Sequence, residues 1–457
     1  MTRILHCIVA IYFLIAISAV AANANWQAGA AKVNITPKQT LWMAGYGGRN
    51  HPAEGKLTDL WAKALVLKDG EGHQAVLVTL DLIGIDQQLS KSVCGDLAAK
   101  FQLRRDQIAL CTSHTHTGPV VGKNLRPMHY ELINDQQKKL VDKYAVELKK
   151  NIVAVVGQAI EKLAPASLTW GSGTASFAVN RRENRPESNV PKWRAEGKLK
   201  GPVDHDVPVL AVRDSNGKLK AVAFGYACHC TVLSFYQWSG DYAGFAQIEL
   251  EKAHPDCVAL FWAGCGADQN PLPRRQVELA KDYGRQLAKA VDEVLSKKMK
   301  PVGGSVTTTY KEIALPLSVL PTIEQVKQDS QSKNKFVAAR AKMFLADIAA
   351  GKPLPMNYPF PVQSWRIGDE IQFITLGGEV VVDFAIRLKT ELRGKRTWVA
   401  AYSNDVMAYI PSRRVLREGG YEGGGAMVYY GLPTTWAPDV EKLIIDEVHR
   451  QLKRNAD

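Results

Sequence analysis

After its first two dozen residues, the 457-residue sequence has no apolar run approaching the ~20 residues that a membrane-spanning helix needs. It has no internal repeat and no low-complexity tract. Zinc-finger spacings and RNA-binding motifs are missing, and the 58 Lys and Arg residues are dispersed rather than clustered. A formal charge of +13 therefore does not mark a nucleic-acid binder. It favours anionic surfaces in general, such as lipid head groups or acidic polymers. The glycine-rich stretch 44–49 lacks the spacing of a phosphate-binding loop and reads as irregular structure.

What is present begins with the N-terminus. Arg3 supplies a short positive region, residues 4–20 form a nearly unbroken apolar run, and Ala22-Asn23-Ala24 offers small residues at a peptidase spacing. Residues 1–24 read as a cleavable signal peptide, with the mature chain starting near Asn25 and working outside the cytoplasm, secreted or periplasmic. Cysteine is sparse. Cys7 leaves with the signal, and Cys94, Cys111, Cys228, Cys230, Cys257 and Cys265 remain. An even number in an oxidising compartment permits disulfides without choosing a pairing. The triplet Cys228-His229-Cys230 does not read as one metal site, because in a strand Cys228 and Cys230 share one face while His229 points to the other.

Hydrophobic residues at 46% and charged residues at 23% fit an ordinary globular protein. Strands are expected over 26–35, 62–67, 75–81, 107–111, 208–213, 221–227, 258–262 and 371–376. Helices are expected over 87–101, 135–163 and 277–297. The stretch 180–201 reads as a polar surface excursion, and 300–304 is the best internal seam. Because the chain beyond that seam is β-rich and supplies site candidates, 25–457 is kept as one catalytic unit. Strands in hairpins alternating with helices predict a mixed α/β, or α+β, architecture.

Four places carry chemistry. Ser113-His114-Thr115-His116-Thr117-Gly118-Pro119 lies where a strand gives way to a loop, a position free to present side chains. His229 stands at another strand end, expected over 223–229. Glu379 comes after Gly377-Gly378 and the strand 371–376, although it also suits the cap of a helix beginning near Val380. Tyr402-Ser403-Asn404-Asp405 leads to Tyr409, and Tyr421 lies in a glycine-rich run beyond it. Together they offer His, His, Glu and Tyr, a nitrogen and oxygen set suited to zinc.

Over roughly 26–432 the chain resembles the N-terminal catalytic domain of the neutral, non-lysosomal ceramidases. Ala28-Gly29 through Ile35-Thr36-Pro37 and Met43-Ala44-Gly45-Tyr46 are similar to the family's opening. Ser113 to Pro119 resembles its T-H-T-H-S-G-P, and Asn180-Arg181 its N-R-S-P. Cys228-His229 with Gly240-Asp241-Tyr242-Ala243-Gly244 resembles its H-P…S-D-N…G-Y segment. Gly378-Glu379 resembles its P-G-E, and Ser403-Asn404-Asp405 through Tyr409 its S-N…Y-V-T-T. Tyr421 lies twelve residues after Tyr409, as in the family.

The resemblance implies zinc ligands His114, His229, Glu379 and Tyr409. It implies an acid/base or substrate-contacting role for His116, and substrate or oxyanion contacts for Arg181 and Tyr421. It implies an amidase of sphingolipid metabolism acting on a small acylated amide or lipid, with peripheral membrane contact, on a ceramidase-like fold. With the sequence ending at Asp457, no C-terminal immunoglobulin-like domain is expected. One departure stands out. The family's G-D-x-S-P-N is here Gly266-Ala267-Asp268-Gln269-Asn270-Pro271, with Gln269 near the family's serine position. Gln269 is expected to project into the pocket and narrow it beside the scissile bond, unless it points away and Asn270 takes that place. Other readings on the same fold are a zinc hydrolase of esters or N-acyl sugars, and a non-catalytic binding protein.

Overall fold

A computed structural model describes residues 26–454. The signal segment and its cleavage site lie outside the described residues. The largest sheet has nine strands, eight of them in the order Val258–Ala263, Leu219–Tyr226, Asp206–Asp214, Ala164–Thr174, Trp26–Asn34, Trp61–Lys68, Gln74–Leu80 and Ile108–Thr112. Lys300–Pro301 adds to Ala164–Thr174. Its middle is antiparallel, built from hairpins such as Trp61–Lys68 with Gln74–Leu80. Both ends are parallel. A parallel pair needs a crossover, and a helix supplies each one: Gln87–Phe101 before Ile108–Thr112, and Asp241–Ala253 before Val258–Ala263.

A second sheet runs Val306–Pro316, Asn357–Ile367, Ile371–Leu376 and Thr397–Ala400, with its last pair parallel. The two sheets pack face to face. Leu65, Leu67, Leu77, Leu210 and Trp262 of the first meet Trp365, Phe373 and Trp398 of the second. The alternate residues Ala64, Val66, Val76 and Val78 turn the other way and pack under the helix Asp135–Glu161. Burial on both faces explains why these strands read as continuous apolar runs. Val382–Glu391 and Val440–Arg454 cover the outer face of the second sheet. The result is the mixed α/β architecture expected from the sequence.

Several expectations change in detail. The strand expected to reach His229 ends at Tyr226, which leaves 227–230 irregular. The stretch 180–201 is not merely surface, because Asn180, Asn184 and Val190 are buried. The segment 300–304 carries the chain from one sheet to the other beneath the shared tryptophan layer. All six described cysteines are buried free thiols.

The parallel strands place the site. Ile108–Thr112 runs into His114, Leu219–Tyr226 into His229, Val258–Ala263 into Gln269 and Asn270, and Ile371–Leu376 into Glu379. In α/β sheets, the carboxyl ends of parallel strands are where ligands gather.

Candidate active site

His114 and His229 are both buried, and a backbone carbonyl fixes each ring. His114 Nδ1 lies 2.7 Å from the carbonyl oxygen of Ile83, and His229 Nδ1 lies 2.7 Å from that of Gly266. A carbonyl can only accept, so each Nδ1 carries the proton and each Nε2 presents a lone pair. Glu379 Oε2 lies 3.2 Å from His114 Nε2 and 3.0 Å from His229 Nε2. Among the described residues that oxygen is buried without a hydrogen-bond partner. Two lone pairs and a carboxylate oxygen thus converge on one point, an arrangement that repels itself unless a cation is shared among them. The residues fit a metal ion.

Glu379 does not cap the helix beyond it. It lies in a two-residue strand, Glu379–Val380, parallel to Tyr409–Ile410. That pairing brings Tyr409 Oη to 3.3 Å from His229 Nε2. Gly378 makes the approach possible. Its φ is +70°, and a Cβ there would stand 2.7 Å from the Ala408 carbonyl oxygen. Tyr430 donates to the other Glu379 oxygen.

His116 differs from the other two histidines. Its Nε2 is 3.1 Å from His114 Nε2, while its Nδ1 is buried with no partner. The ligand atoms of His114, His116 and His229 lie within 4.8 Å of one another, so a three-histidine set is geometrically open as well. Gly45 backs His116 closely, since a Cβ there would be 2.6 Å from its Nδ1. The Tyr46 ring lies 4.9 Å from the His116 ring.

Arg181 ties the site to its rim. Its Nε donates to Glu422 Oε1 at 2.7 Å, its Nη2 to Tyr409 Oη at 3.1 Å, and its Nη1 to Asn270 Oδ1 at 3.3 Å. Two of its five N–H donors are left for a ligand. Tyr421 is 40% exposed, and its ring packs 5.2 Å from that of Tyr409, so it borders the opening.

Burial lowers His116 well below its usual range and draws His229 down to about 4, with Arg181 adding to the effect on His229. Both are neutral imidazoles at neutral pH. Burial and Glu379 keep the Tyr409 phenol protonated.

Residues 26–348 match the family described as neutral/alkaline non-lysosomal ceramidase, N-terminal. The chain belongs to this ceramidase family. It is 26% identical over 241 residues to neutral ceramidase A of Dictyostelium discoideum, covering 50% of this chain and 32% of that protein. It is 24% identical over 413 residues to neutral ceramidase 2 of Arabidopsis thaliana, covering 82% and 50%. The chain thus spans between a third and a half of the length of these relatives. The crystal structure of neutral ceramidase from Pseudomonas aeruginosa has the same fold, with a TM-score of 0.70 at 20% identity over 94% of this chain and 75% of that one. A ceramidase complexed with C2 matches with a TM-score of 0.71 at 18% identity.

Within this ceramidase fold, Gln269 does not enter the pocket. Its amide oxygen accepts from the Asp204 backbone N–H at 3.1 Å, and its amide nitrogen donates to the Ala227 carbonyl. Two loops with unpaired backbone groups claim both ends of the side chain, which overturns the expected narrowing. Asn270 instead faces the site through Arg181. Gln269→Ser therefore leaves the buried Ala227 carbonyl and the half-buried Asp204 N–H unpaired. It should lower stability by about 2 kcal/mol, the low end for two groups at ~1–3 kcal/mol each. Relative rates on different substrates should stay the same. Thermal melts and a substrate panel check both outcomes.

Three contributors escaped the sequence reading. Tyr402 stacks on His114 with ring centroids 4.3 Å apart. Glu422 holds Arg181, and Tyr430 holds Glu379. Tyr402 and Glu422 stood in motifs without an assigned role. Tyr430 carried no local signal, because an aromatic residue there reads as packing.

Proposed function

We propose that this chain is an exported zinc-dependent amide hydrolase that cleaves an N-acyl linkage of the ceramide type. The observation that carries the reading is the buried, unpartnered Glu379 Oε2 between two imidazole lone pairs. A zinc ion held by His114, His229, Glu379 and Tyr409 would supply Lewis acidity toward an amide carbonyl and toward water. The sequences named as neutral ceramidases, and the fold shared with them, support an acyl-amide substrate.

The protein's own groups divide the remaining work. Water adds to the acyl carbon, the C–N bond breaks, and the products are a carboxylic acid and an amine. No carbonyl fixes the tautomer of His116, so its Nε2 takes the proton of the attacking water and returns it to the departing nitrogen. An amine cannot leave unprotonated. Tyr421 and the free donors of Arg181 stabilise the charge on the carbonyl oxygen, a contribution of about 3 kcal/mol per well-aimed donor. Incubating the metal-loaded protein with ceramide, shorter N-acyl amines and matched esters, then identifying products by mass spectrometry, tests the reading. Fatty acid and free amine from the amides support it, and cleavage of the esters alone contradicts it.

Export rests on Arg3, the apolar run 4–20 and Ala22-Asn23-Ala24. N-terminal sequencing of material collected outside the cytoplasm should begin near Asn25. An intact Met1 there contradicts it.

A further inference from the structure

Two guanidiniums share one tyrosine beside His116. Arg49 Cζ lies 5.2 Å and Arg275 Cζ 5.0 Å from the centre of the Tyr46 ring, whose neighbour at 4.9 Å is the His116 ring. Arg49 is 5% exposed and donates only to the backbone carbonyls of Ala44, Phe235 and His116 and to the Met43 sulfur. Arg275 is exposed and donates to Tyr46 Oη at 2.8 Å. Among the described residues neither forms an ion pair, whereas the adjacent Arg274 is bidentate on Glu187. The Asp241 carboxylate feels the charge of Arg275, but the backbone N–H groups of Leu233 and Tyr242 already claim its oxygens.

Arg275 offers an exposed guanidinium with no carboxylate partner among the described residues, and an anion arriving beside it gains a charge-assisted hydrogen bond. Arg275 is also held at a φ of +90°, a conformation rare for a side-chain-bearing residue and kept only where the surroundings impose it. Its bond to Tyr46 Oη and its place over the Tyr46 ring hold the guanidinium beside the aromatic neighbour of His116.

We propose that Arg275, with Arg49 behind it, selects substrates whose amine portion carries an anionic group, a carboxylate or sulfonate, a few atoms from the scissile nitrogen. Within the N-acyl amides of that reading, the preferred substrates are then N-acyl amino acids or N-acyl aminosulfonates, with neutral N-acyl alcohols cleaved less efficiently. The assignment of the anion to the amine side rests on the amide-hydrolase reading, in which His116 protonates the departing amine and so fixes which half of the substrate lies against Tyr46.

The test compares decanoylglycine and decanoyltaurine with decanoylethanolamine. Wild type should favour the anionic members in kcat/KM by at least about tenfold, a step typical of one well-placed charge-assisted hydrogen bond. Arg275→Gln should erase about tenfold of that ratio, Arg275→Lys should restore part of it, and added salt should weaken it. Calorimetry with the uncleavable decanesulfonylglycine and N-(2-hydroxyethyl)decanesulfonamide supplies a readout independent of turnover, with the same tenfold loss expected in Kd for the anion. Equal or better handling of the ethanolamine compounds by wild type, or an unmoved ratio in Arg275→Gln, overturns the proposal. Selective anion binding without amide cleavage would sink the hydrolase reading and leave the anion site standing.

Discussion

Glu379→Ala protein should fold, retain little or no metal and lose hydrolysis by more than about 100-fold. Removing a mere outer hydrogen-bond partner of a metal ligand costs ~10–100-fold, and Glu379 sits closer to the centre than that. Among the described residues its Oε2 is the one anionic atom within reach of both His114 and His229 Nε2. Without it, two neutral imidazoles and a protonated phenol face the ion. His116→Asn separates the two ligand sets that the geometry allows. No backbone carbonyl orients that ring, so the variant should keep its metal while losing turnover. Metal content by mass spectrometry, measured beside kcat/KM, checks both. If His116→Asn empties the site as fully as His229→Asn does, the three histidines hold the ion and His116 moves no proton.

The second large effect is at Arg181. Glu422 is 1% exposed and Arg181 13%, and their contact at 2.7 Å joins chain segments 241 residues apart. Burial would raise the Glu422 carboxyl, but Arg181 and Arg182 outweigh it and keep it ionised. Removing one partner of a buried pair usually costs ~3–5 kcal/mol, because the other charge is stranded. Arg182 still reaches Glu422 at 2.8 Å, so Arg181→Met should lose about 3 kcal/mol, the low end of that range. In a chain of this size that is a fall of roughly 3 °C in Tm. Adding Glu422→Gln removes the stranded charge and should return most of the stability. It should not return activity, because Tyr409 Oη still lacks its donor. A double-mutant cycle reading Tm and kcat/KM together separates the two roles.

How much of this was legible in the sequence depends on how local each signal is. The apolar runs that became strands were readable because both faces of the first sheet are buried, and the helix Gln87–Phe101 stands where its spacing put it. His114, His116, His229 and Glu379 could be singled out because each comes after a strand and precedes glycine or an irregular turn. Their convergence could not be read from spacing, because it comes from parallel pairings between strands far apart in sequence. The expected reach of the strand to His229 failed for a local reason. Backbone contacts from Gln269 and Gly266 turn the chain there and aim the imidazole inward. Gln269 was misjudged because an amide is equally able to face a pocket or to bridge two loops. Only the positions of the Asp204 and Ala227 backbone groups decide between them. Tyr430 gave no signal and Glu422, named in a motif, had no assigned role, since the partners of both are supplied wholly by tertiary structure.

The central claim is that one metal ion among His114, His229, Glu379 and Tyr409 makes this chain an amide hydrolase. Its most direct test is to strip the purified protein with a chelator, titrate zinc back, and monitor cleavage of an N-acyl amide at each addition. The account predicts a silent metal-free protein whose activity rises to an endpoint at about one zinc per chain. Full amide hydrolysis by the metal-free protein would contradict it.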